Sequence, residues 1–174
     1  MSYTRIDEED DFMPATHAET WKGPFVHWRA AVGAALIAGI VFLMYEMVML
    51  PLFLGESPWG PPRMMAAIAL GRDVLPPPAT FDIGIMMVAM MLHFMLSIVY
   101  AFIIAGFVRG RSAGLTIGIG AVAGLVLYLV NFYAFTAAFP WFSMARNWVS
   151  VSGHILYGLV LAWAYHRTTS GRHG

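Results

Sequence analysis

A small all-α integral membrane protein of four transmembrane helices is what this chain of 174 residues encodes. Two features of composition point there: 59% of the residues are apolar and only 11% are charged, where a soluble domain carries ~25% charge. The third is arrangement, because the apolar residues gather into four continuous runs, each near the roughly 20 residues a helix needs to cross hydrocarbon. Continuous runs, unlike alternating ones, exclude a barrel, and an open sheet edge cannot be satisfied in lipid. Lys+Arg and Asp+Glu balance at 10 each, which leaves no basic face for a nucleic-acid backbone. The chain has no cysteine, so thiol catalysis, thiolate metal ligands and disulfides are excluded.

Residues 1–29 open the chain with the acidic run Asp7-Glu8-Glu9-Asp10-Asp11 and no apolar core. That is not a signal peptide, which needs a basic start and an apolar segment. It reads as a solvated, disordered cytoplasmic tail, with docking to a partner as the other use of such a charge block. Val26-His27-Trp28-Arg29 leads into the membrane domain of residues 30–166, whose spans are expected near 30–54, 83–108, 113–139 and 148–165. Glu46 is the one formal charge inside them. A cytoplasmic tail, 167–174, closes the chain.

Orientation follows from the retention of Lys and Arg in cytoplasmic segments. Arg5, Lys22, Arg29, Arg109, Arg111, Arg167 and Arg172 flank the spans on one side, and Arg63, Arg72 and Arg146 on the other. This distribution places both termini in the cytoplasm. All six Trp lie near span ends, as an interfacial belt requires. The outer loop 55–82 brackets a short apolar segment, Met64 to Leu70, between Pro58-Trp-Gly-Pro-Pro62 and Pro76-Pro-Pro78, which suits an interfacial helix stopped at Gly71. Such a helix is a stiff connector, or a lid or docking element over what lies beneath.

The chain also matches itself. Gly33 to Val41 lies over Gly118 to Val126, which sets Glu46 over Asn131 and Pro58-Trp59 over Pro140-Trp141. His93 lies over His154, with Ser97 over Gly158 and Ala101 over Ala162. The spans therefore read as a duplicated helical hairpin, a parallel repeat with its axis along the membrane normal. Spacings of four and seven put Ala35, Gly39 and Glu46 on one helix face, and Gly120, Gly124 and Asn131 on another. His93 with Ser97 and Ala101, and His154 with Gly158 and Ala162, form two further stripes. Small-residue stripes are where membrane helices approach closely, so Glu46, His93, Asn131 and His154 are expected in one buried layer in the outer half of the bundle.

An ionisable group in a span is costly unless paired or wet, which makes that layer a candidate site. Glu46, His93 and His154 are a candidate ligand set for a divalent metal. The same groups can handle a proton or a small polar solute, and the two histidines can be axial ligands of a haem b. Arg63 and Arg146 are candidate counter-ions for Glu46. Against all of these stands simple glue, with Glu46 bonded to His93 and Asn131 to His154. Met87, Met91 and Met95 share a face of span 2, where thioethers are a Cu(I) surface or apolar filler.

The segments Pro51-Leu-Phe-Leu-Gly-Glu-Ser-Pro-Trp-Gly-Pro-Pro-Arg-Met64, Leu75-Pro-Pro-Pro-Ala-Thr-Phe-Asp82, Asn131-Phe-Tyr, Phe139-Pro-Trp-Phe and Ala145-Arg-Asn-Trp148 resemble those of a set of uncharacterised bacterial four-span inner-membrane proteins. The resemblance covers roughly residues 28–166, and some of these proteins are labelled sodium:proline symporter. It implies a bacterial inner-membrane location and supplies no mechanism. No catalytic triad, phosphate loop or dinucleotide fingerprint is present, so an enzyme is not expected. Two functions stay open: a site for a metal ion, proton or small polar solute, or a non-catalytic accessory or assembly subunit of a larger membrane complex, respiratory complexes included, or of a homo-oligomer. Membrane lipid is a contact in either case.

Overall fold

The computed structural model describes residues 26–170, and in that range the protein is helical with no strand. The acidic run and the end of the C-terminal tail lie outside the described residues. Four helices are long and apolar enough to cross a membrane. They are α1 (Trp28–Leu54), α3 (Ile83–Val108), a third span from Ala113 to Ala137 that begins as α4 (Ala113–Leu129), and α5 (Trp148–Ser170); the short α2 (Gly60–Leu70) lies between the first two.

Local chemistry sets the ends. Gly55 takes a left-handed conformation, φ 66°, and stops α1. Pro61 and Pro62 occupy the first turn of α2, where a missing N–H costs nothing, so the helix starts four residues before the expected segment at Met64. It stops at Gly71, as the sequence indicates. Asp82 caps α3 by accepting from the Ile85 N–H at 3.0 Å, and Asn147 caps α5 by accepting from the Ser150 N–H at 2.9 Å. The last helix runs on through Ser170, so Arg167 to Ser170 are helix where a tail was expected.

The third span departs most from expectation. A continuous helix to 139 was expected, but α4 ends at Leu129 and passes into a π-helical turn, Val130–Ala134, then 3₁₀ turns at Phe135–Ala137 and Pro140–Ala145. Arg146 explains part of the arrangement. Its Nε donates to the Phe132 carbonyl at 2.7 Å, its Nη2 donates to Thr136 Oγ1 at 3.1 Å, and its guanidinium lies 4.2 Å from the Tyr133 ring centroid.

The helices run up and down in alternation, and the start of α1 meets the end of α5, where the His27 N–H donates to the Tyr165 hydroxyl at 3.3 Å. The hub is α5: 56% of its apolar stretch is buried inside the protein, against 22% for each other span. It earns that position through missing side chains. A Cβ on Gly120 would sit 2.6 Å from the Gly158 carbonyl oxygen and 2.7 Å from Ala162 Cβ, and one on Gly124 would overlap the His154 carbonyl. Backbones therefore touch where α4 crosses α5. On the other side, Ala31, Ala34, Ala35 and Ala38 bury the small face of α1 in the core with Ala101, Ala105, Leu161 and Ala162. In contrast α3 and α4 pack only lightly on each other.

Met87, Met91 and Met95 do share one face of α3, and it points outward, with 65%, 62% and 53% of each residue exposed. With Leu52, Val99 and Phe107 also exposed, this is the apolar surface that a bilayer covers.

Candidate functional site

In the half of the bundle nearer α2, the helices leave a cavity of about 130 Å³. Glu46, His93, Asn131 and His154 all line it. Phe42, Leu43 and Leu50 of α1, Met90 and Leu96 of α3, and Phe132 and Phe142 supply apolar walls, while Pro61, Met64 and Ile68 of α2 close over it. The roof is stitched in place. Trp141 Nε1 donates to the Met64 carbonyl at 3.0 Å, Ser57 Oγ to the Ala79 carbonyl at 2.6 Å, and Arg63 to the carbonyls of Thr80 at 2.9 Å and Val74 at 2.8 Å.

Most of the polar lining is already in use. The Tyr100 hydroxyl donates to Asn131 Oδ1 at 2.8 Å, Asn131 Nδ2 donates to His154 Nε2 at 3.2 Å, and His154 Nδ1 donates to the Ser150 carbonyl at 2.8 Å. Because a carbonyl only accepts, His154 is fixed with its proton on Nδ1 and its Nε2 lone pair directed at the amide. Below this chain, Ser97 Oγ donates to the Ala35 carbonyl at 2.8 Å, and the Tyr157 hydroxyl sits 2.9 Å from Ser97 Oγ and 3.0 Å from its carbonyl.

His93 is spent on one side only. Its Nε2 donates to the Gly39 carbonyl at 3.1 Å, an approach that a side chain on residue 39 would obstruct. Its Nδ1, left as a lone-pair acceptor, has no hydrogen-bond partner among the described residues. Glu46 is 6% exposed and receives only a long hydrogen bond, 3.4 Å, from Ser150 Oγ. No Lys or Arg pairs with it among the described residues.

Several expectations are corrected by this geometry. Glu46 and His93 do not bond to each other; of the two expected pairs only Asn131 with His154 forms, and it lies within the second hairpin, while Tyr100 with Asn131, Tyr157 with Ser97 and Tyr45 with Ser152 join one hairpin to the other. Arg63 and Arg146 do not pair with Glu46; Arg63 staples the Val74 and Thr80 carbonyls and Arg146 the Phe132 carbonyl of the π-helical turn. Glu46, His93 and His154 face one cavity but do not assemble as a three-ligand metal set, and no such group occurs among the described residues. A haem b between the two histidines does not fit either. The Phe42 ring packs against both imidazoles, with centroids 5.8 Å from His93 and 4.9 Å from His154, and both Nε2 atoms are engaged elsewhere.

The sequence reading missed Tyr100, Ser150, Tyr157, Phe42 and Glu56. Four of them were findable. Tyr100 follows His93 by seven, Ser150 precedes His154 by four, Tyr157 follows it by three and Phe42 precedes Glu46 by four, all on stripes already identified.

No protein-family model matches the chain, and neither a curated protein nor a solved structure is significantly similar to it.

Proposed function

We propose that this is a multi-pass bacterial inner-membrane protein whose intramembrane cavity binds a small polar solute or a proton, with Glu46 as the group that exchanges partners. One observation carries the reading. His93, Asn131 and His154 are each committed to a neighbour through at least one hydrogen bond of 3.2 Å or less, while Glu46 is buried on the cavity with only the Ser150 hydroxyl, at 3.4 Å. A carboxyl at this depth requires a proton, a cation or water as its partner, and structural glue would have supplied one from the protein. The π-helical turn that carries Asn131 supports the same reading, since such turns recur at functional sites.

The finer architecture belongs with this proposal: a duplicated hairpin with both termini cytoplasmic and the cavity in the outer leaflet. Similar depth of Glu46 and Asn131, and of His93 and His154, supports the duplication. Divergence then assigned the copies different tasks, Asn131 and His154 closing on each other and Glu46 and His93 staying open.

The test is the reactivity of Glu46 towards a hydrophobic carbodiimide in mild detergent, read by peptide mass mapping from about pH 5 to 8. Modification at Glu46, absent in Glu46→Gln, is expected. If a folded protein stays unmodified throughout that range, the carboxyl does not exchange partners and the scaffold function, an accessory subunit of a larger membrane complex, takes its place.

A further inference from the structure

The geometry points to an organic ammonium ion with a small apolar body as the solute of this cavity, held by Glu46 against aromatic walls. The inference rests on the cavity being a solute site, as proposed above, and adds its chemical class.

Charge is the first observation. Among the described residues two formally charged ones line the cavity, Glu46 within it and the exposed Glu56 beside the roof, and both are acidic. Among the described residues no Lys or Arg lines it. Arg63 on α2 donates to the Val74 and Thr80 carbonyls, and Arg146 before α5 donates to the Phe132 carbonyl and lies over the face of Tyr133. A concave site with one sign of charge and low-dielectric walls attracts the opposite sign.

The second observation is the direction of the unmet hydrogen bonds. Both ionisable groups with spare capacity, the Glu46 carboxylate and His93 Nδ1, present acceptor atoms. A ligand that donates satisfies them, and an N–H cation satisfies them best.

Size and lining come third. About 130 Å³ is close to the ~150 Å³ cavity known to take benzene, so the body of the ion is of that order. A bare inorganic cation would leave most of the space empty and find too few oxygen ligands. Phe42, Phe132, Phe135 and Phe142 line the space, and aromatic faces attract ammonium groups. An anion meets two carboxylates, and a neutral solute suits Glu46 only in its protonated form, whereas an ammonium pairs with the carboxylate.

The experiment measures thermal stabilisation of the purified protein by benzylammonium, by its neutral isostere benzyl alcohol and by benzoate. Benzylammonium is expected to stabilise the wild type, benzyl alcohol weakly and benzoate not at all. In Glu46→Gln the benzylammonium affinity falls about tenfold or more, the size expected for removing a buried charge partner. Glu56→Gln, an exposed change that leaves the fold intact, weakens it by about two- to threefold and keeps the test decisive should the Glu46 variant not fold. Equal stabilisation by benzyl alcohol, an undiminished response in both variants, or no response to any probe overturns the ammonium assignment. If Glu46 is also inert to carbodiimide, the solute site falls with it; if it reacts, only the ammonium class is lost. Loss of the benzylammonium response on adding phosphatidylethanolamine, but not phosphatidylglycerol, would assign the ammonium to a lipid headgroup rather than a free amine.

Discussion

Glu46, His93, Asn131 and His154 show how much a residue's type says and how little it says about its partner. That each would face inward was legible, because four- and seven-residue spacing to small residues fixes the helix face that meets other helices; Glu46, His93 and His154 are buried and Asn131 half-buried. Which hydrogen bonds each makes was not. Asn131 turned to Tyr100 and His154, and His93 to the Gly39 backbone carbonyl, where a Cβ on residue 39 would crowd the imidazole at 3.1 Å. The glycines themselves yield a sharper prediction. Gly124→Val places carbon atoms into the His154 and Ile155 backbone, so it should cost at least ~1–3 kcal/mol and lower the thermal midpoint in detergent. Gly114→Ala, with nothing within 4 Å of the new Cβ, should leave the midpoint unchanged.

At the level of elements, the spans and α2 follow from apolar run length, prolines and caps, all local properties. The π-helical turn at Val130–Ala134 is not local, since it depends on a guanidinium arriving from residue 146 and on the fit of Asn131 to α3 and α5. Arg146→Ala removes two hydrogen bonds and a ring contact from that turn and its continuation. Amides from 132 to 139 should then exchange hydrogen faster by about tenfold or more, the loss of a charged hydrogen bond being worth ~1.5–3 kcal/mol, while the α1 amides keep their rates. Equal rates in the variant and wild type would show that the turn is held by side-chain packing alone.

For the whole molecule, four spans in alternation require both ends of the membrane domain on one side, and the contact of His27 with Tyr165 places the two chain ends of the bundle together. Which side is which rests on the distribution of Arg and Lys. Because the chain lacks cysteine, single substitutions report topology without background. On the proposed orientation Gly71→Cys, between α1 and α3, should react with a membrane-impermeant maleimide on intact spheroplasts, and Gly110→Cys, between α3 and α4, only after lysis. The reverse pattern would invert the protein and place the cavity in the inner leaflet.

Sequence alone determined the solvent, the number of spans and the faces that turn inward, because hydrocarbon thickness and helical periodicity act along the chain without reference to any distant residue. It even collected the four polar residues. Tertiary structure alone decided that Arg63 and Arg146 hold loops instead of Glu46, that Phe42 packs against both imidazoles, and that α3 and α4 pack loosely where a cavity remains. Those outcomes depend on competition between partners that converge from separate helices. A guanidinium takes the carbonyl it can reach, and a carboxylate is left open only when every cation nearby has found something closer.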